Sequence, residues 1–176
     1  MLFPYLSHGD TQLHPTSPRG AEELFASLPP EAARATGSDL FGSLYCPDNP
    51  STIGAQFDIL DEKEHWVGTA TLFSLDLNSG RARAAIHLHP GEEEHEKAAT
   101  LLTINYAFST WRLHKTYVWS TPSKRSALEE MPGIAEQEAH LESFFYSPEG
   151  LTDVNIFAVY RNPWEQDGLK HLEHLT

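Results

Sequence analysis

The sequence has little cysteine, no long apolar run and no leader-like start, and each shortage excludes a class of protein. Cys46 is the single cysteine in 176 residues, so no internal disulfide can form, which fits a reducing cytoplasm. No segment approaches the roughly 20 apolar residues that a membrane helix needs. The start, Met1 to Tyr5, lacks the basic and apolar regions of a secretory signal. We therefore expect a cytoplasmic protein that does not enter a membrane.

Cations are also scarce relative to anions. The sequence holds 12 Lys and Arg against 25 Asp and Glu, a net charge of −13 at pH 7, and its longest basic run is Lys124-Arg125. Because nucleic acids and anionic membranes favour clustered cations, we expect neither as a partner. A cationic substrate such as an amine is easier to accept, although negative charge can also serve solubility alone.

The motifs of several enzyme classes are missing. There is no G-x-S-x-G, no P-loop, no CxxC and no HExxH, and Cys46 has no evident base partner for thiol chemistry. His87 and His89, with Glu92 to His95 nearby, resemble a set of zinc ligands. We predict no metal there, because such pairs arise by chance in a chain with ten histidines.

Hydrophobic patterns predict one α/β (α+β) domain over residues 1–164, followed by a polar tail over residues 165–176. The predicted strands are Thr11 to Pro15, Gly54 to Leu60, Trp66 to Phe73, Arg81 to His89, Lys115 to Ser120, Glu136 to Tyr146 and Asp153 to Tyr160. The predicted helices are Ala21 to Leu28, one with Leu101, Ile104, Phe108 and Trp111 on a single face, and a short one from Ser123 to Met131. The Pro-rich stretch from Ser27 to Pro50 is expected to separate the N-terminal part from the rest.

This order of elements resembles the GNAT N-acetyltransferases, and several segments are similar to that family in sequence. They are Leu13 to Phe25, which is similar to the branch that acetylates ribosomal-protein N-termini, Trp66 to Ala70, Asn105 to Phe108, Leu113 to Lys115, and Asp153 to Ala158. The resemblance implies a GNAT-like domain with a mixed, mostly antiparallel sheet, flanking helices and splayed central strands. It also implies an N-acyltransferase that moves an acetyl or acyl group to an amine of a small molecule or protein.

The phosphate-binding loop departs most from the family pattern. Members hold the pyrophosphate of acetyl-CoA with a Q/R-x-x-G-x-G/A loop, whose backbone N–H groups lie at a helix N-terminus. In this sequence Glu93 stands at the Gln/Arg position and Glu96 at the glycine, and only Ala98 conforms. These carboxylates repel phosphate, although acids in a first turn also favour the helix dipole. We expect acetyl-CoA, or another phosphopantetheine thioester, to be bound by other contacts or not at all.

The resemblance also implies the residues of the site. The donor's pantetheine arm is expected along the splayed strand, and the predicted cofactor-binding residues are Ile86, Leu88, His89, Glu93, Glu96, Ala98, Ser123 and Ser126. His87 is the candidate base, because imidazole titrates near neutral pH; a structural histidine is the alternative. Glu129 stands where many members carry the tyrosine that reprotonates the CoA thiolate, and Arg83 stands where many carry an acid.

Three functions stay open at this point. The first is an N-acyltransferase with atypical donor binding, acting on a small-molecule or peptide amine. The second is a non-catalytic binding protein that kept the fold. The third is an enzyme whose donor is the arm of an acyl carrier protein or an aminoacyl-tRNA. The net charge of −13 disfavours the aminoacyl-tRNA, because it is a nucleic acid. A homodimer is the assembly that we consider.

Overall fold

The computed structural model describes residue 2, residues 4–124 and residues 126–173. These residues form one eight-stranded sheet in the order β1-β2-β3-β4-β5-β6-β8-β7. Its strands are β1 (Ser7–His8), β2 (Thr11–Thr16), β3 (Ile53–Leu60), β4 (Trp66–Asp76), β5 (Arg81–Leu88), β6 (Lys115–Ser120), β7 (Ala135–Ser147) and β8 (Gly150–Tyr160). Only β5 and β6 run parallel among the neighbours, so the sheet is mixed and mostly antiparallel, as predicted.

Helices cover the sheet on two sides. The α-helices are α1 (Ala21–Ser27), α2 (Pro30–Thr36), α3 (Ser38–Leu40), α4 (Glu96–Thr110), α5 (Arg161–Pro163) and α6 (Lys170–Glu173). Two π-helical turns, Phe41–Tyr45 and Trp164–Gly168, and three 3-10 turns, Pro50–Thr52, Glu93–His95 and Ala127–Glu130, complete the described helical residues.

The central strand β5 has a hydrophobic core against each of its faces. Ala84 and Leu88 belong to the core that includes α4, whereas Ala85 belongs to the core that includes α1 and the π-turn Phe41–Tyr45. Because side chains alternate along a strand, even and odd positions of β5 reach opposite sides. Both faces of the middle and end of β5, from Ala82 to Leu88, are therefore buried or half-buried.

The two parallel strands separate part-way along their length. Their pairing covers only Arg81 to Ala84 of β5 and Lys115 to Val118 of β6. Beyond that point β5 stays paired with β4, and β6 stays paired with β8. Each strand is thus held by its outer neighbour while a gap opens between them, which confirms the predicted splay.

The stretch from Ser27 to Pro50 is more ordered than the sequence predicted. It carries α2, α3 and the π-turn Phe41–Tyr45 instead of acting as a divider. Pro30 starts α2, where a residue without an N–H is tolerated because the first turn has no intrahelical acceptor for it. The predicted short helix over 123–131 is also wrong in extent, because the described residues of that range, all but Arg125, form only the 3-10 turn Ala127–Glu130.

The end of the described chain packs on the domain. Trp164 and Leu172 are buried in the core that includes α4, so the part of the predicted tail up to Glu173 is helical and anchored by Leu172. The boundary at 164 stays a prediction, and Met1 and residues 174–176 lie outside the described residues. Within the described part of the chain, no helix is both long and apolar enough to cross a bilayer; the cytoplasmic location stays a prediction.

Candidate functional site

A cavity of about 420 Å³ occupies the gap between β5 and β6. Ile86 and Leu88 form its wall on β5, and Val118 and Trp119 form its wall on β6. The remaining lining residues are mostly polar: Tyr45, Glu93, Glu96, Thr100, Ser120, Thr121, Ser123, Lys124 and Ser126. Six of the predicted cofactor-binding residues therefore meet in one cavity: Ile86, Leu88, Glu93, Glu96, Ser123 and Ser126.

Two hydroxyl groups in the cavity wall have no hydrogen-bond partner among the described residues. They are Thr100 Oγ1, on a residue that is 1% exposed, and Ser120 Oγ. By contrast, Thr103 Oγ1 on the same helix donates to the Ala99 carbonyl at 2.7 Å. A buried polar group left without a partner costs about 1–3 kcal/mol.

The glutamates at the start of α4 lie at one end of the cavity. The carboxylate of Glu96 accepts hydrogen bonds from the Ala127 N–H at 3.1 and 3.3 Å, which ties α4 to the 3-10 turn Ala127–Glu130. Burial raises the pKa of Glu96. Glu93 Oε1 accepts from the Gly91 N–H at 3.2 Å. The loop therefore presents carboxylates to the cavity where the family pattern would place Gln or Arg, at Glu93, and glycine, at Glu96.

Lys124 brings a cation to the same cavity. Its Nζ lies 5.7 Å from the centroid of the Tyr45 ring. Desolvation lowers the pKa of Lys124, while the charges of Glu93 and Glu96 act in the opposite direction. Burial raises the pKa of the Tyr45 hydroxyl above its usual range. Lys124 is the one Lys or Arg among the described lining residues.

His87 lies on the opposite face of β5 from Ile86 and Leu88 and is not in the described lining of the cavity. Its Nε2 is 2.8 Å from Thr36 Oγ1, and its ring packs edge-on against Phe41 and Tyr45 at 5.1 and 4.8 Å between centroids. Burial, with smaller contributions from the charges of Lys124 and His89, lowers the pKa of His87 to about 3. The imidazole is therefore a weak base at neutral pH, and its predicted catalytic role stays untested.

Three other predicted residues also lie outside the described cavity lining. His89 packs edge-on against Trp66 at 4.7 Å between centroids, and burial lowers its pKa. Ala98 is half-buried on α4, and Glu129 is exposed on the 3-10 turn Ala127–Glu130. Their predicted roles in donor binding and catalysis stay predictions.

A group of potential metal ligands lies beside the cavity. Ligand atoms of Glu92, Glu94 and His95 fall within 4.8 Å of one another, and they do not include His87 and His89, the pair weighed from the sequence. His95 Nδ1 is already 2.8 Å from Thr11 Oγ1. The position of His95 is thus explained by its bond to β2 without an ion.

Sequence reasoning did not name seven of the lining residues, and three of them, Tyr45, Thr100 and Lys124, show why. Tyr45 lies within the stretch from Ser27 to Pro50 that the sequence predicts to be a divider, so its packing against His87 of β5 had no local signal. Thr100 stands beside the apolar face of α4 and looks like an ordinary helix residue. Lys124 did have a signal in the sequence. It belongs to Lys124-Arg125, the longest basic run of an acidic chain, and this pair could have marked it as a candidate site residue.

No protein-family model matches the chain, and no curated protein matches it in sequence. Solved structures do match. A spermidine N-acetyltransferase from Vibrio cholerae in complex with CoA and spermine is 17% identical, with a TM-score of 0.64 over 89% of this chain and 98% of that one.

Two further structures of this kind of enzyme from Vibrio cholerae give similar values. Mutant forms of a spermidine/spermine N-acetyltransferase are 14% identical, with a TM-score of 0.65 over 89% of this chain and 97% of that one. A dodecameric spermidine N-acetyltransferase is 14% identical, with a TM-score of 0.64 over 88% of this chain and 96% of that one. At such identities the likeness shows a common fold.

Proposed function

We propose that this chain, which has the fold of the GNAT N-acetyltransferases, is an N-acyltransferase. Its donor is a thioester whose pantetheine arm lies in the cavity between β5 and β6. The observation that carries this proposal is the cavity of about 420 Å³ that opens where β5 and β6 separate, with Ile86, Leu88, Val118 and Trp119 as its apolar walls. A pantetheine arm suits such a cavity, since its methylene groups can pack on these walls while its amides pair with the polar lining residues.

The donor is held by its arm and not by its phosphates. Glu93 and Glu96 line the cavity near the start of α4, and Lys124 balances only one of the two charges. A pyrophosphate at this position would meet net negative charge, and like charges about 4 Å apart repel by about 4 kcal/mol at an effective dielectric of 20 before salt screening. A thioester on a carrier-bound arm, or CoA with its phosphates in solvent, avoids this repulsion.

The acceptor is an amine that carries positive charge. The net charge of −13 favours the approach of cations over that of anions. A similar structure contains CoA together with spermine, a polyamine, which supports the same class of acceptor here. Another similar structure is a dodecamer, and self-association, at least to the predicted homodimer, is part of the proposal.

A non-catalytic binding protein is the second candidate, because the base and the acid named from the family pattern, His87 and Glu129, lie outside the described lining of the cavity. Such a protein would bind the thioester arm and release no thiol. The two candidates therefore differ in turnover and not in donor binding.

The test is a turnover assay with acetyl-CoA and acetyl-pantetheine as donors and spermidine and a basic peptide as acceptors. Thiol release and the mass of the acylated amine are both measured. We expect product from acetyl-pantetheine, and a several-fold rise in its KM in Thr100→Val, which removes a free hydroxyl. Thr103→Val is the matched control, because its hydroxyl is bonded within α4. Binding of the donor without product would favour the binding protein. If the donor does not bind and no product forms, both candidate functions are excluded.

A further inference from the structure

We infer that the acceptor is an amine with a hydrophobic group close to its nitrogen, and that this group packs on an aromatic platform beside the cavity. The platform consists of Trp119 on β6 and of Phe144 and Phe145 on β7. This inference rests on the proposed function, which it deepens by naming the class of acceptor. Trp119 also lines the cavity, so a molecule that lies on the platform is adjacent to the proposed donor site.

Trp119 connects the platform to the cavity on the side of the sheet opposite α4. Val118 belongs to the core that includes α4. By alternation along β6, Trp119 points to the other face, where it packs on the core that includes α1. Tyr45 belongs to that second core and lines the cavity from the same face. The donor arm is proposed to lie along Ile86 and Leu88, which pack on the α4 side, so the side of Trp119 and Tyr45 is left for the acceptor.

A bulge in β7 turns two consecutive aromatic side chains towards Trp119. In a regular strand Phe144 and Phe145 would point to opposite faces, yet the centroid of each ring lies 6.2 Å from that of Trp119. The pairing of β7 with β8 changes register just before Phe145, and Ser143 has a φ of 49°, which a residue with a Cβ seldom adopts. The Asp153 carboxylate accepts a hydrogen bond from the Ser143 N–H at 2.8 Å and so holds the bulge. Bulges that re-aim a side chain are common beside active sites.

The two aromatic residues of β7 differ in burial. Phe145 is half-buried and packs on the core that includes α1, so its ring supports the fold. Phe144 is 48% exposed, although its ring meets that of Phe145 edge-on at 4.8 Å between centroids. Apolar surface that adjoins a cavity marks a ligand site more often than an isolated exposed side chain does. Phe144 is therefore the platform residue that is available to a ligand.

A cation of the protein already lies on the Trp119 ring. The guanidinium carbon of Arg83 is 4.0 Å from the centroid of that ring, and its hydrogen bond of 2.8 Å to the Leu44 carbonyl holds it there. A second positive charge on the same ring would be repelled by Arg83. The platform around Phe144 therefore suits an uncharged hydrophobic group better than the distal ammonium of a polyamine, and the reacting amine supplies the positive charge of the acceptor.

The test compares two acceptors of equal charge, phenylalanine amide and alanine amide, with acetyl-pantetheine as the donor. In wild type we expect kcat/KM to be about tenfold higher for phenylalanine amide, because its ring is buried on the platform. Phe144→Ala should lose most of this preference through a higher KM for phenylalanine amide, with alanine amide and the donor KM unchanged. Phe144→Leu keeps an apolar surface and should keep most of the preference. The control is Tyr146→Ala, since Tyr146 is 67% exposed and points to the opposite face from Phe145.

Calorimetric titration of both amides without donor separates the platform from the reaction. Wild type should bind phenylalanine amide more tightly than alanine amide, and Phe144→Ala should bind the two alike. Turnover with equal kcat/KM for the two amides, or with a preference that Phe144→Ala retains in full, would overturn the platform and leave the acyltransferase intact. Absence of turnover together with selective binding of phenylalanine amide would overturn the proposed function and keep the platform as an amine site. Absence of both would overturn both.

Discussion

His87 shows how burial decides the chemistry of a single residue. Free imidazole titrates near pH 6.5 and suits a base at neutral pH, and from the sequence a structural histidine was the alternative. In the fold, Thr36, Phe41 and Tyr45 enclose the ring, and the charged form loses its hydration. The pKa of about 3 follows from this desolvation first and from the charge of Lys124 second. A neutral histidine of this kind stabilises packing more readily than it accepts protons.

This environment predicts a pH dependence of folding. Between pH 6.5 and about 3 the unfolded chain binds a proton at His87 and the folded chain does not. The contribution of neutral His87 to the free energy of unfolding is therefore complete above pH 6.5 and decreases as the pH falls. One pKa unit corresponds to about 1.4 kcal/mol, and the loss between pH 6.5 and 4.5 should be about 2–3 kcal/mol. Urea denaturation at the two pH values measures it.

The control is a pair of histidine substitutions. His87→Gln should remove most of this pH-dependent loss, whereas His14→Gln, at an exposed position on β2, should keep it. An identical pH dependence in wild type and His87→Gln would show that His87 is not the neutral buried group that the fold indicates.

Arg83 connects two elements of the molecule. Its guanidinium donates to the carbonyls of Ser43 and Leu44 at the end of the π-turn Phe41–Tyr45. It also lies over the rings of Phe73 and Trp119, at 4.9 and 4.0 Å from their centroids. Desolvation lowers the pKa of Arg83 to about 10, so the group remains charged at neutral pH. The π-turn that carries Tyr45 is therefore fastened to β5.

Removing this connection should loosen the fold and the cavity together. Arg83→Met should lower the free energy of unfolding by about 1–3 kcal/mol, through two lost charge-assisted hydrogen bonds. Arg83→Lys should recover only part, because an ammonium lacks the planar fork of donors. Arg81→Met is the control on the same strand, where Arg81 is 54% exposed and pairs with Asp76 across 3.6 Å, and should change stability by less than about 1 kcal/mol. Equal effects at both positions would exclude a connecting role for Arg83.

The regular elements were predictable because their patterns are local. The pattern of apolar and polar residues predicted the bounds of β5 and β6 nearly to the residue. The resemblance in element order implied that these two strands separate. The region after α1 was not predictable in the same way. Its prolines and Gly37, which has a φ of 75°, look like breaks in sequence, while the packing of the π-turn Phe41–Tyr45 against β5 depends on contacts distant in the chain. Tyr45 was missed for that reason, and Thr100 because a hydroxyl's lack of partners appears only in three dimensions.

The charge of the whole molecule acts over a longer range than any one contact. With a net charge of −13, the chain attracts polycations from solution, and salt screens this attraction because the Debye length falls from about 10 Å at 0.1 M to about 3 Å at 1 M. The KM for spermidine should therefore rise several-fold between low and high salt. The KM for a monoamine such as benzylamine should rise much less. Parallel rises for both amines would show that charge does not select the acceptor.

The central claim is that the donor is held by its arm in the cavity and not by its phosphates. Calorimetric titration of acetyl-pantetheine and acetyl-CoA measures this most directly, in wild type and in a double variant, Glu93→Gln with Glu96→Gln. Glu94→Gln removes the same kind of charge from an exposed residue of the same loop, outside the described cavity lining, and serves as the control.

We expect wild type to bind acetyl-pantetheine at least as tightly as acetyl-CoA. The double variant should shift that preference towards acetyl-CoA by about tenfold or more, which corresponds to about 1.4 kcal/mol, and Glu94→Gln should shift it much less. Wild-type binding of acetyl-CoA ten times tighter than that of acetyl-pantetheine would contradict the claim, because the phosphates would then be held despite the glutamates.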